Sequence, residues 1–471
     1  MSAERPSEAV TRGMVELAAN HFRALGVEPG RRIALQVEPN AAGVAAILGA
    51  SLTGATVSPL NPAWTHEETL RVLKAFRPGV LIAASDTHAP QGLDVGVRVV
   101  PIERVGRGAG RAGEDSGASG LPTWVLWTSG TSGRAPRGVV CCHRAFEASA
   151  RSIAERLRLS PSDRWLCTLS PAHVGGLALI LRAVTLRSEL HAPGPFRVEV
   201  VSEALDRDGI THASLVPTQL RRLLELRRDR PVPPSLRCLL VGGAAPASGL
   251  IEEAVERGYP VALTWGMTEA ASQVATAEVE RVRRKPGSVG PPLDGVELRV
   301  VPEATPILGE GNPGGELFVR SPTLAEGIFR GPDDAPAPLT DDEGWYRTGD
   351  LGRLDVEGDL WIVGRSSDRI ITGGVNVSPG EVEAGIAKHP AIREVAVLGL
   401  PDPEWGERVV AVAVLRPGAV EPTLEDLRRF VESSLAPPKR PREIRYLDRL
   451  PRNANGKVDR SALRDRLIGG S

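Results

Sequence analysis

Lysine is scarce in this chain. Five of its 57 basic residues are lysines (Lys74, Lys285, Lys388, Lys439 and Lys457), and arginine supplies the rest. A lysine in a chemically suggestive place therefore carries unusual weight. Net charge is equally sparse: 58 acidic residues face the 57 basic ones, leaving −1. That excludes a bulk positive field for nucleic acid or anionic lipid, so any bound anion must be held by local placement. Apolar runs of about 18 residues, long enough to span a bilayer, are missing. The start, Met1-Ser-Ala-Glu-Arg-Pro6, lacks a signal-peptide apolar core, and a cytoplasmic protein is expected. The four cysteines, Cys141, Cys142, Cys167 and Cys238, lie in or beside apolar runs without zinc-site spacing. They read as reduced, mostly buried thiols.

At 471 residues the chain has room for two or more domains. From about residue 31 to 275, apolar runs end in glycine or polar turns and enter amphipathic patterns. Arg32–Val37 precedes a small-residue helix over Ala41–Leu52, and Ala213–Val216 precedes a helix over Pro217–Glu225. Cys238–Val241 runs into Gly242-Gly-Ala-Ala-Pro246, and Val261–Thr264 into Trp265-Gly-Met-Thr-Glu269. Alternating strand and helix predicts α/β layers with a mostly parallel sheet, and ligands sit at the carboxyl ends of such strands. After about residue 290 the texture changes. Val296–Val301 and Gly315–Arg320 alternate apolar and polar residues between turns, which predicts antiparallel strands and a small β-barrel. From about 366 the pattern is mixed α+β. Ser378-Pro-Gly-Glu381 predicts a capping box opening a helix, Val395–Gly399 and Val409–Val414 read as strands, and Thr423–Leu435 as a helix. A boundary near Arg365–Asp368 divides residues 1–365 from residues 366–471. Residues 105–120, rich in glycine, alanine, serine and arginine, read as a loop. No internal repeat is present.

The most informative stretch is Thr128-Ser-Gly-Thr-Ser-Gly-Arg-Ala-Pro-Arg-Gly-Val139, after the apolar run Trp124-Val-Leu-Trp127. Small and hydroxyl residues leave the backbone amides open, and two arginines follow. Amides, hydroxyls and cations on one loop suit a polyphosphate, although the spacing is not that of a Walker A loop. Alone, it could also be a flexible surface linker, the lesser of the two readings.

Five further segments occur with it. Ser170-Pro-Ala-His-Val-Gly-Gly176 sets His173 on a turn before an apolar helix, where a lone histidine is more often structural than catalytic. Thr264-Trp-Gly-Met-Thr-Glu269 puts an aromatic face, a hydroxyl and a carboxylate on one strand-to-helix turn, suited to a base, a phosphate and its Mg²⁺. A buried tryptophan beside an N-capped helix would look the same. Tyr346-Arg-Thr-Gly-Asp350 offers a carboxylate able to accept both ribose hydroxyls, or merely a turn. Gly364–Gly374 carries arginines and small polar residues at a change of texture, as a hinge or a plain linker would. Asn453-Ala-Asn-Gly-Lys457 places one of the rare lysines on a tight turn near the C-terminus.

In this order, the six segments resemble the adenylate-forming superfamily of acyl-CoA synthetases, carrier-protein adenylation domains and luciferases, over about residues 20–465. The resemblance implies a large N-terminal domain of layered α/β sheets plus a small β-barrel, followed by a small mobile α+β lid. It implies a small-molecule carboxylic acid, ATP, Mg²⁺ and CoA as ligands. A carboxylate attacks the α-phosphate of ATP, and a thiol then attacks the acyl-adenylate. By the same resemblance Thr128, Ser129, Gly130, Thr131, Ser132 and Gly133, with Arg137, would wrap the phosphates. Trp265 and Gly266 would face adenine, and Gly242, Gly243 and Ala244 would line the adenine and acyl pockets. Thr268 would hold the α-phosphate and Glu269 the Mg²⁺, while Asp350 and Arg365 would bind ribose. Lys457 would bridge the α-phosphate and the attacking carboxylate. Ser367 would be the pivot, Gly373 and Gly374 would flank the pantetheine arm, and His173 would stand near that tunnel.

Pro171–Arg182, Leu215–Leu224 and Gly266–Gln273 resemble the ligases that act on a dianionic aromatic keto-acid in quinone synthesis. Such an acid needs a second cation or donor set, for which Arg182 and Gln219 are candidates. The chain departs from the family pattern in three places. The phosphate loop is one residue longer, Arg137 replaces lysine, and the N-terminus starts late, so that either the start site is misassigned or the N-terminal sheet is shorter. A ligase for another aryl or fatty acid, and a non-catalytic nucleotide-binding relative, are the alternatives. An exposed α/β surface often dimerises, so a homo-oligomer is compatible with the sequence.

Overall fold

A computed structural model describes residues 9–83, 92, 96–106, 121–128, 137–246, 249–302, 314–452 and 458–468. The expected loop beyond residue 106, the phosphate-loop residues Ser129 to Gly133, and Lys457 lie outside the described residues.

Two sheets carry the N-terminal half. Across the first run Gly327–Ile328, Arg137–Cys142, Thr123–Thr128, Thr56–Leu60, Arg32–Gln36, Val80–Ala83 and Arg98–Pro101. Its pairings are parallel except on both sides of Arg137–Cys142. Across the second run Ser272–Ala277, Val261–Met267, Cys238–Val241, His212–Leu215, Arg164–Leu166 and Glu189–His191. Only its edge pair, Val261–Met267 with Ser272–Ala277, is antiparallel. The sheets share a core that holds Trp124 of the first and Trp165 of the second. Helices Ala41–Ser51, His143–Leu157 and Val174–Leu186 contribute to that core, which explains why the first and third are apolar almost all round. The predicted α/β layering holds here, as does the burial of Cys141, Cys167 and Cys238 as free thiols. Among the described residues the first regular element is the helix Arg12–Ala24.

The remaining strands make two further sheets. Glu297–Pro302, Gly315–Arg320, Tyr346–Leu354 and Leu360–Arg365 form a four-stranded antiparallel sheet whose outer strands do not pair, so the expected barrel is open among the described residues. Val375–Val377, Ile370–Thr372, Gly406–Leu415 and Ile392–Asp402 form the last, with Glu443–Tyr446 added alongside Gly406–Leu415.

Three local expectations are corrected. The strand from Val261 continues to Met267, and Glu269 leads through a 3-10 turn, Thr268–Ala270, into an antiparallel strand rather than a helix. Ala271 (φ 46°) and Ser272 (φ 116°) turn the chain there. A Cβ on Gly266 would lie 1.9 Å from the Ser272 carbonyl oxygen, so glycine is what lets the two strands close. Second, the box at Ser378 does not form. The Ser378 hydroxyl donates to the Val363 carbonyl at 3.1 Å, and Glu381 pairs with Lys439 at 2.8 Å. Third, the helix expected over Thr423–Leu435 is regular only over Leu424–Phe430. Pro437 and Pro438 supply no N–H, and Arg440 takes the carbonyls of Leu435 and Glu432 instead.

Candidate active site at the meeting of three sheets

Strands and the turns that leave them set most side chains of the site. Thr128 closes one strand of the first sheet opposite Arg137, and its hydroxyl donates to the Arg137 carbonyl at 3.2 Å. The Arg137 guanidinium turns to Glu269 of the second sheet's edge hairpin, 3.9 Å from its carboxylate. That arginine is half exposed while Glu269 is mostly covered. The segment after the third sheet's first hairpin strand also reaches this point, because Ala325 N–H donates to the Glu269 carbonyl at 2.8 Å. The buried Cys141 thiol donates to the Thr268 carbonyl at 3.6 Å, fixing the turn from below.

The third sheet supplies the other wall. Asp350 and Arg365 are direct cross-strand partners. Their side chains meet at 2.8 Å, from Arg365 Nε to Asp350 Oδ1. The second Asp350 oxygen accepts the indole N–H of Trp265 at 2.8 Å. Asp350 is nearly covered at 5 %, and Trp265 at 7 %. The indole lies mostly beneath the surface, packed with Met267, Leu317 and Tyr346. Its polar edge holds the carboxylate, and each carboxylate oxygen keeps a further lone pair for a ligand. Gly349 (φ 73°) lies within the strand just before Asp350, opposite the register shift between Glu316 and Phe318, and there the Thr348 hydroxyl donates to the Leu317 carbonyl and accepts the Asp350 N–H.

Gly242 follows the strand Cys238–Val241, its N–H donating to the Leu215 carbonyl at 3.2 Å. A Cβ there would sit 2.6 Å from Thr264 Cγ2, so only glycine lets this loop lie against the neighbouring strand. Gly243 (φ 81°) then leads into Ala244. His173 caps the helix Val174–Leu186 and stands 3.4 Å from the Asn61 side-chain amide. Gly373 and Gly374 form a turn in the last sheet, Gly373 lying against the Trp405 ring and Gly374 facing open space, and Ser367 lies in the 3-10 turn Ser366–Asp368.

Two groups escaped the sequence reading. Tyr346 opens the motif that ends at Asp350, but only the aspartate was singled out. Its phenol, hydrogen-bonded to Glu269, is pushed above the ordinary tyrosine value, first by burial and then by that carboxylate. Gln273 is the other, as the neighbour of Arg182. The Arg182 guanidinium is 2 % exposed and donates to Gln273 Oε1 at 3.3 Å, while its second terminal nitrogen has no hydrogen-bond partner. Burial lowers its pKa to about 10, so it stays charged at neutral pH. Gln273 is the cross-strand partner of Gly266, beside Trp265. Gln219 is committed differently: its oxygen accepts the Val216 N–H at 3.1 Å and caps its own helix.

The strand pair ending at Thr128 and Arg137, the acidic turn at Glu269 and the Asp350–Arg365 pair are the frame of the site. The chain belongs to the AMP-binding enzyme family, whose model matches residues 11–329, with the AMP-binding enzyme C-terminal domain matching residues 381–457. Within that family it is similar to the 2-succinylbenzoate–CoA ligase of Bacillus cereus, 34 % identical over 448 residues, 94 % of this chain and 90 % of that one. It is also similar to the solved o-succinylbenzoate CoA synthetase of Bacillus subtilis in complex with its acyl-adenylate intermediate. That likeness has a TM-score of 0.84 and 30 % identity, covering 98 % of this chain and 96 % of the other. The same Bacillus subtilis enzyme with ATP and magnesium ion matches at TM-score 0.82 and 31 % identity, over 97 % and 93 % of the two chains. No helix among the described residues is long and apolar enough to cross a membrane.

Proposed function

We propose that this chain is an o-succinylbenzoate–CoA ligase of menaquinone synthesis. One carboxylate of the acid attacks the α-phosphate of ATP, releasing pyrophosphate and forming an acyl-adenylate. The CoA thiol then attacks the acyl carbon, giving the thioester and AMP. Similarity to 2-succinylbenzoate–CoA ligases along 94 % of the chain supports the reaction. The observation that carries the choice of acid is Arg182. A nearly buried cation with an unused nitrogen, whose hydrogen-bond partner is the neutral Gln273 and whose charge neighbour is Cys238 rather than a carboxylate, is costly unless a ligand anion completes it. The second carboxylate of o-succinylbenzoate is such an anion.

Asp350, oriented by Trp265 and Arg365, takes the ribose hydroxyls. Arg137 and the loop over residues 128–133 take the phosphates, where charge develops. Thr268 stands at the α-phosphate, and His173 beside the acyl and pantetheine passage. Glu269 suits Mg²⁺: its carboxylate is a hard oxygen donor, mostly covered and opposite a phosphate-facing arginine. The ion supplies neutralisation of phosphate charge. Residues 1–365 hold ATP and acid, and residues 366–471 form a lid that brings Lys457 in for adenylation and removes it for the thiol. Gly373 and Gly374 then face the pantetheine arm.

The test is pyrophosphate release with ATP and Mg²⁺, using o-succinylbenzoate, benzoate and medium-chain acids, each with and without CoA. Turnover confined to o-succinylbenzoate, with its CoA thioester detected by mass, is expected. Turnover with another acid keeps the chemistry and discards the substrate.

A further inference from the structure

Arg182 does not stand alone in the core. Trp165, His212 and Cys238 are register partners on three neighbouring strands of the second sheet, so their side chains project from one face. The Trp165 and His212 rings stack with centroids 4.7 Å apart and planes 30° from parallel. Above that row lies Arg182, its Cζ 5.0 Å from the Trp165 ring centroid. The Trp165 indole N–H is buried and has no hydrogen-bond partner. Phenylalanine would fill the core without leaving that donor unmet. What tryptophan adds is the strongest π face for a cation.

His212 is itself fixed. Its Nδ1 lies 2.8 Å from the Thr211 hydroxyl and 3.6 Å from Asp163, and Asp163 is held in turn by Arg237 at 2.6 Å. Burial, with Arg237 and Arg182 adding to it against the opposing pull of Asp163, keeps the imidazole neutral. A neutral ring can lean on tryptophan without competing with the guanidinium.

We propose that Trp165, braced by His212, is a positioning residue that holds the Arg182 guanidinium for the second carboxylate of the acid. This rests on the substrate reading given above. Gln273 fixes one nitrogen of Arg182, the indole face fixes the plane, and the remaining nitrogen is kept for the ligand. The device selects between acids, and it leaves the ATP side of the reaction untouched.

Trp165→Phe, Trp165→Leu and Arg182→Met are compared with wild type, with thermal melting to check folding. Pyrophosphate release is measured with o-succinylbenzoate and with 4-oxo-4-phenylbutanoate, which lacks the ring carboxylate. Trp165→Phe should raise KM for o-succinylbenzoate about threefold and Trp165→Leu about tenfold. KM for ATP, kcat, and kcat/KM for the monocarboxylate should each hold within a factor of about two, which a general packing defect would not allow. If Trp165→Leu does not fold, Trp165→Phe decides alone. Equal losses with both acids, or none with either, would overturn the positioning role. If Arg182→Met abolishes the preference for the diacid and Trp165→Phe leaves it whole, the substrate reading stands and this inference falls. If wild type shows no such preference, both fall.

Discussion

The indole N–H of Trp265 donates to Oδ2 of Asp350 at 2.8 Å, across 85 residues of sequence. The second sheet thereby aims a carboxylate that belongs to the third, and Arg365 fixes its other oxygen. Trp265→Phe keeps the packing and removes the donor. A hydrogen bond to a charged group is worth about 1.5–3 kcal/mol, so KM for ATP should rise about tenfold with a smaller change in kcat. Steady-state kinetics at varied ATP measures this, and an unchanged KM would detach Asp350 from the nucleotide.

Gly266 is a packing requirement. An alanine Cβ would lie 1.9 Å from the Ser272 carbonyl oxygen, a backbone atom that cannot swing away. Gly266→Ala should cost about 3 kcal/mol of stability, read from the urea midpoint. A variant as stable as wild type would show that the hairpin has slack there.

Arg137 stands half exposed, 3.9 Å from Glu269. Arg137→Ala should leave stability within about 0.5 kcal/mol and cut the adenylation rate about 100-fold. Arg137→Lys should recover most of it if charge matters more than the guanidinium fork. Single-turnover pyrophosphate release compares them.

Lys457→Ala separates the half-reactions. Adenylation should fall by at least about 100-fold, while thioester formation from supplied acyl-adenylate and CoA stays largely intact. Equal losses in the two assays would remove Lys457 from the lid role.

Stability should fall in mild acid. Burial lowers the pKa of His212 in the folded chain, and His143 and His21 shift the same way. Once pH drops below the ordinary histidine value of 6.5, the unfolded chain binds protons that the folded one refuses. The buried His212 can then contribute a slope of up to about 1.4 kcal/mol per pH unit, until pH reaches its lowered folded value, and the partly exposed His143 and His21 add less. Urea unfolding at several pH values between 7.5 and 5.5, roughly the histidine range, should show this, with a shallower slope for His212→Asn. A flat profile would mean that His212 takes up its proton as readily in the folded chain as in the unfolded one.

Much of the fold was legible because burial writes periodicity into sequence. The strand Cys238–Val241 and the apolar helix after His173 stand where their patterns put them. The turn after Met267 was misread because a glycine, a threonine and a glutamate open helices and hairpins alike. Only the neighbouring strand Ser272–Ala277 pulls the chain back. The capping box at Ser378 failed for a related reason: Val363 and Lys439, both distant in sequence, outcompete the local bonds. Asp350 and Arg365 were both anticipated, but not as partners of each other. Tyr346 opened a motif read only for its aspartate, because its place beside Glu269 depends on a contact between sheets.

By itself the sequence determined the order of the motifs, the alternation that builds parallel sheets, and the charge balance that leaves anion binding to local groups. Those properties follow from residue type and short spacing. Only the tertiary structure decided that Trp265 serves Asp350, that Gln219 is spent as a helix cap, and that Arg182 rests on Trp165 with one nitrogen unused. A buried polar group must find a partner in three dimensions, and which partner it finds is settled by how sheets and helices pack.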